Sequence, residues 1–194
     1  MFAARLNGPF KFELFDKPVP AMDSAGADAV LVKMKRASIC GSDLPYFIGT
    51  PSVRDAPIPP DSFPIHECVG VVAASNSAKF QVGDAVLAQP DRFMGLAEYF
   101  VARDKNTVPL PDGANWNRWL LAQPLGTVIW GMRKLGNIIH QKALVLGQGN
   151  IGLLATQMLA CLGADVIIGV DPLENRLQVA KQVGATHTLI ADGG

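Results

Sequence analysis

Six residues, Gly147-Gln148-Gly149-Asn150-Ile151-Gly152, restrict this chain more than any others. They fit G-x-G-x-x-G and stand between a short apolar run, KALVLG, and a helical pattern, NIGLLATQMLACLGA. In that setting the first glycine permits a tight turn, the second lets backbone approach a pyrophosphate, and the third allows close helix–strand packing. The helix start adds free N–H groups and a positive dipole end, with Asn150 and Ile151 in its first turn. The next run, DVIIGVD, reads as a second buried strand ending at Asp171, where a carboxylate can accept hydrogen bonds from an adenosine ribose. A 2′-phosphate beside Asp171 would be repelled, so the reading is NAD rather than NADP, with Arg176 expected to face solvent. LENRLQVAKQVGA then predicts a helix stopped by Gly184, and THTLI a third strand. Strands alternating with helices imply right-handed βαβ units and a parallel sheet.

Upstream the texture differs. To about residue 112, short β-rich runs (AVLVKMKRAS, CVGVVAAS, DAVLAQ, LAEYFVA) are broken by Gly, Pro, Asn and Asp, which predicts an all-β domain. The proline-dense stretch from Thr50 to Pro64 reads as a surface loop. WNRWLLAQPLGTVIWGMRKLG suits buried helices. The expected division is residues 1–120 and residues 121–194, all-β followed by α/β. With 17 basic and 17 acidic residues the formal charge is zero, so nothing favours nucleic acid or an anionic membrane. The expected partner is a small molecule or a second copy of the chain. The first twenty residues hold no apolar run that would serve as signal or span, and a cytoplasmic location is the default expectation.

Three cysteines are too few and too scattered for a disulfide framework, so each is either buried or a metal ligand. Cys40-Gly41-Ser42-Asp43 follows a β-like run, and His66-Glu67 opens the run CVGVV. A thiolate and an imidazole are part of a catalytic zinc set, which has three protein ligands and an open position. Spacing alone does not decide this. Cys68 alternates away from His66 along a strand and reads as core, as does Cys161 in its apolar helix; His140 and His187 read as surface or strand-end residues.

Cys40-Gly41-Ser42-Asp43, His66-Glu67-Cys68-Val69-Gly70, Phe80-Gln81-Val82-Gly83-Asp84-Ala85-Val86 and the glycine turn with Asp171 together resemble the medium-chain dehydrogenase/reductase family, in particular its zinc alcohol, sorbitol and threonine dehydrogenases. The resemblance implies a GroES-like β-barrel domain followed by the first half of a Rossmann domain. It also implies oxidation of an alcohol or polyol with NAD. Cys40 and His66 would be zinc ligands, with Glu67 beside the metal or as an alternative ligand. Ser42 would start a proton relay, and Asp43 would orient the His66 ring. Gly147, Gly149, Asn150, Ile151, Gly152 and Asp171 would hold the cofactor.

The sequence departs from this pattern in places. The family's third ligand falls on Gln123, whose neutral amide is a poor zinc donor, so the site relies on Glu67 or water, binds weakly, or is empty. Ile65, Pro45, Asn76 and Lys79 also differ from the family; Asn76 is the tolerable change if its backbone is left-handed. No four-cysteine lobe is present, so one metal site and no structural zinc are expected. The resemblance further implies that strands four to six lie outside this chain. That would leave the first sheet strand as an apolar edge and make hydride transfer by these residues alone very slow. The rival readings are a zinc-free quinone or enone reductase of the same superfamily, and a non-catalytic remnant or interaction protein.

Overall fold

A computed structural model describes residues 1–50 and 61–191. The chain divides into two compact units, Met1–Ala122 and Gln123–Gly194. Among the described residues, no helix is long and apolar enough to cross a membrane.

The first unit is built on a closed four-stranded antiparallel barrel. It begins with a hairpin, β1 (Phe2–Leu6) and β2 (Phe12–Asp16), tied to the barrel segment at Ala97 by a bridge from Ala3. The barrel strands are β3 (Ala29–Ser38), β4 (Glu67–Ser75), β5 (Ala85–Pro90) and β6 (Tyr99–Pro109), in the order β3-β4-β5-β6 with β6 returning to β3. Each alternates one face inward, and Val30, Val32, Cys68, Val72, Phe80, Val86, Phe100 and Ala102 fill the interior. Gly70 allows the tight β3–β4 contact: a Cβ there would lie 2.4 Å from the Lys33 carbonyl oxygen.

Between β3 and β4 the chain forms a 3₁₀ turn, Gly41–Asp43, and a short helix, α1 (Leu44–Ile48), closed by Gly49 in the left-handed region at φ 73°. Part of the Thr50–Pro64 loop, residues 51–60, lies outside the described residues. The end of that segment is not surface as expected, because Ser62, Phe63 and Pro64 are buried. Phe63 packs edge-on against Tyr46, with ring centroids 4.8 Å apart. Asn76 does not adopt a left-handed backbone either; its amide donates to the carbonyls of Met22 and Gly26.

The first unit ends with α2 (Trp116–Trp119), capped by the Asn115 side chain. From α3 (Ala122–Leu135) onward the elements alternate as the sequence predicts: β7 (Lys142–Leu146), α4 (Asn150–Cys161), β8 (Val166–Asp171), α5 (Glu174–Gln182) and β9 (His187–Ile190). The three strands form one parallel sheet in the order β7-β8-β9. β7 is an edge strand with Leu144 58% and Leu146 75% exposed, the apolar edge expected of the first sheet strand. α3 is likewise only partly covered: Pro124 and Val128 are buried while Trp130 is 61% exposed. Cys161 is exposed, which corrects its reading as core; it stands two residues past buried Leu159 and so on the opposite face of α4. His140 and His187 are exposed.

Candidate metal and nucleotide sites

Strand register explains why residues far apart in sequence meet. β3 and β4 are antiparallel with Ser38 opposite Glu67, so the residues after β3 and before β4 emerge at one end of the barrel. Cys40 follows β3 as the N-cap of the 3₁₀ turn, and His66 immediately precedes β4. Cys40, His66 and Glu67 each offer a ligand atom within 4.8 Å of the others. Among the described residues no other three His, Cys, Asp or Glu side chains converge in this way.

Sulfur, imidazole nitrogen and carboxylate oxygen in a three-residue set match the donors of catalytic zinc. Bonds of about 2.0–2.3 Å around a tetrahedral ion put its ligands roughly 3.3–3.8 Å apart, so these donors need to draw in by no more than about 1.5 Å. The residues therefore fit the metal in kind and in spacing.

Asp43 ties the cluster together. It is 5% exposed; its Oδ2 accepts a hydrogen bond from the Cys40 backbone N–H at 2.8 Å, and its Oδ1 lies 3.3 Å from His66 Nδ1. That second contact leaves Nε2 as the nitrogen free for a metal, the usual arrangement of a supported imidazole. The hydrogen bond to Asp43 pushes the His66 imidazole up to about 9, against the downward pull of burial. Glu67, 2% exposed, accepts a hydrogen bond from the Ser38 hydroxyl. Ser42 is exposed on the same turn as Cys40. Cys68 is fully buried, and burial pushes its thiol up to about 12, so it is not a fourth donor.

Two features here had no signal in the sequence. The Phe93 ring lies 5.0 Å from the His66 ring, carried on a 3₁₀ turn whose Arg92 and Phe93 both adopt left-handed φ, 53° and 59°. Ser38 is the other, because only the pairing of β3 with β4 brings it to Glu67. Gln123, at the start of α3, belongs to the second unit and is half-buried.

In the second unit β7 runs into Gly147, at φ 85°, and Gly149 caps α4, whose first residues Asn150 and Ile151 are exposed. Gly152 is required by contact: a Cβ there would lie 1.8 Å from the Gly147 carbonyl oxygen. Gln148, fully buried, donates through Nε2 to the Val145 carbonyl and accepts at Oε1 from the Thr156 hydroxyl at 3.0 Å. Gly169 leaves room for it; a Cβ there would stand 3.2 Å from the Gln148 amide.

Asp171 is less open than the sequence suggests. It is 2% exposed, its Oδ2 accepts from the Gln148 backbone N–H at 2.7 Å, and its Oδ1 accepts from the Leu173 N–H at 2.9 Å. Arg176 does not simply face solvent, since its guanidinium reaches Asp171 at 3.4 Å while remaining half exposed. Burial pulls the Asp171 carboxyl upward, but the two backbone donors and Arg176 outweigh it and hold the group below the ordinary carboxylate range. Asp171 thus pins the glycine turn while carrying full negative charge.

Comparison with known proteins agrees with both units. Residues 26–112 match the alcohol dehydrogenase GroES-like domain. The chain is 29% identical over 212 residues to D-xylulose reductase of Saccharomyces cerevisiae, covering 94% of this chain and 58% of the relative. It is 30% identical over 219 residues to an uncharacterized zinc-type alcohol dehydrogenase-like protein of Escherichia coli, covering 95% and 61%. It thus spans about three fifths of the length of these relatives. Galactitol-1-phosphate dehydrogenase from Escherichia coli shares the fold with a TM-score of 0.84 at 23% identity, over 97% of this chain and 60% of that one. Residues 26–112 thus carry the alcohol dehydrogenase GroES-like domain, and the closed barrel followed by a parallel βαβ sheet is the fold of the dehydrogenases that this chain resembles.

Proposed function

We propose that this chain supplies the metal site and part of the nucleotide site of a zinc-type oxidoreductase that transfers hydride between an alcohol or polyol and NAD. The observation that carries the reading is the convergence of Cys40, His66 and Glu67 within 4.8 Å at one end of the barrel. Relatives named as a xylulose reductase and a zinc-type alcohol dehydrogenase-like protein support the substrate class. When bound, zinc supplies Lewis acidity to the substrate oxygen and the nicotinamide supplies a hydride acceptor.

The chain's residues divide the remaining work. Cys40, His66 and Glu67 hold the metal, with one protein ligand of each chemical kind. Asp43 fixes the imidazole and the turn bearing Cys40. Ser42, exposed on that turn, relays the proton of the substrate hydroxyl, accepting it as its own hydroxyl proton passes to solvent. The glycine turn and the start of α4 receive the pyrophosphate on free backbone N–H groups, with Gly147, Gly149 and Gly152 shaping the approach. The ionised Asp171 disfavours a 2′-phosphate by repulsion, which Arg176 softens without cancelling, so NAD is the preferred cofactor.

Zinc analysis and cofactor binding test this reading. The wild-type chain should hold about one zinc, lost in Cys40→Ser and in His66→Ala. It should bind NAD more tightly than NADP, with the ratio narrowed in Asp171→Asn. Undiminished zinc in both metal-site variants would overturn the proposal.

A further inference from the structure

Glu67 raises a problem that the metal ligands alone do not solve. It is a carboxylate at 2% exposure, and among the described residues no lysine, arginine or histidine forms an ion pair with it. A buried carboxylate without a cation is costly unless hydrogen-bonded or metal-bound, and a flexible Glu side chain has several rotamers to choose from. What meets it is Ser38. The two residues are directly opposed on the antiparallel strands β3 and β4, so their side chains share one face of the sheet, and the Ser38 hydroxyl donates to Glu67 Oε2. The carboxylate is thereby held while one of its oxygens lies in the cluster with Cys40 and His66.

We infer that Ser38 is a positioning residue for the metal: its hydroxyl selects the Glu67 rotamer that completes the donor set, as Asp43 selects the ring orientation of His66. This rests on the reading that Cys40, His66 and Glu67 hold zinc. The strand register makes the arrangement stiff, because Ser38 cannot move relative to Glu67 without shifting the β3–β4 ladder. Outer partners of metal ligands typically contribute about 10–100-fold in affinity, and Ser38 is expected to fall in that range.

Ser38→Thr and Ser38→Val differ in little but the hydroxyl, and both suit a strand. Zinc affinity of the purified chain is measured by competition with a chromophoric chelator, and the coordination sphere by the visible spectrum of the cobalt-substituted chain. Ser38→Thr should stay within a few-fold of wild type. Ser38→Val should lose about 10–100-fold and show an altered cobalt spectrum. In a Glu67→Ala background the same Ser38→Val change should cost little more, since its target is gone. Unchanged affinity in Ser38→Val, or an equal loss with and without Glu67, would overturn the assignment of Ser38 while leaving the metal site intact. Undiminished affinity in Cys40→Ser would instead remove the metal reading on which it rests.

Discussion

The pair Gln148–Thr156 offers the sharpest quantitative test of how the nucleotide turn is held. Both residues are fully buried, and Gln148 Oε1 accepts a single hydrogen bond, from the Thr156 hydroxyl at 3.0 Å. Thr156→Val keeps the shape and removes the donor. It strands a buried carbonyl oxygen, which costs about 1–3 kcal/mol, more than the net value of the bond itself. Gln148→Met removes the acceptor but leaves a hydroxyl that can turn to a carbonyl of its own helix, so about 1 kcal/mol is expected. The double variant has no stranded polar group at this contact and should be less destabilised than the sum, with a coupling of about 1–2 kcal/mol. Hydrogen exchange of the amides in residues 147–160, read by mass spectrometry, reports this region without requiring the whole chain to unfold in one step. Additivity within about 0.5 kcal/mol would refute the claim that these two side chains lock the turn to α4.

Other consequences follow from contact and burial. Gly152→Ala should abolish NAD binding, checked by calorimetry, because its Cβ would meet the Gly147 carbonyl at 1.8 Å; Gly131→Ala on α3, where nothing lies within 4 Å, should raise helix stability by up to about 1 kcal/mol. An alkylating reagent at neutral pH should label exposed Cys161 and spare Cys68 until denaturant is added, as peptide mapping will show. The folded Cys68 thiol titrates near 12 against an ordinary 9, so the stability it lends is intact below pH 9 and is lost as pH rises from 9 through 12; a urea midpoint that did not fall more steeply in wild type than in Cys68→Ala over that window would count against this.

The β7-to-β9 half of the fold was legible because each element has one dominant local signal. Gly147, Gly163 and Gly184 each take a positive φ where the sequence puts a stop, and the apolar runs between them have strand or helix length. The barrel strands β3 to β6 were legible for the same reason. The hairpin β1–β2 was not, since its FELFD and FAARL segments are short and expose Phe2, Phe12 and Leu14. Burial was read less well than structure type: Cys161 lies in an apolar helix, and its exposure depends on which face the tertiary fold covers. Arg176 is exposed as expected, but five residues of sequence do not reveal that α5 also turns it back to Asp171.

The candidate site divides along the same line. Cys40, His66 and Glu67 can be picked out by residue type, yet nothing local says that they meet; their meeting is a property of the β3–β4 register. The supporting residues depend on that register even more strongly. Asp43 is three residues from Cys40 and so is partly local, and its bond to the Cys40 N–H is a turn contact that sequence reasoning can anticipate. Ser38 and Glu67 are 29 residues apart, and a shift of one residue in the ladder would point one of them to the opposite face. The same shift would carry His66 away from Cys40. Register is therefore what the metal site and its supports share, and the bulges between Leu31 and Val32 and between Met34 and Arg36 are where it is set. One residue inserted between Arg36 and Ala37, past the bulge, would move Ser38 off Glu67 and should cost zinc binding, read by metal analysis, while the barrel still folds, because the inward pattern from Val30 to Val32 lies on the far side of the Met34–Arg36 bulge from Ser38.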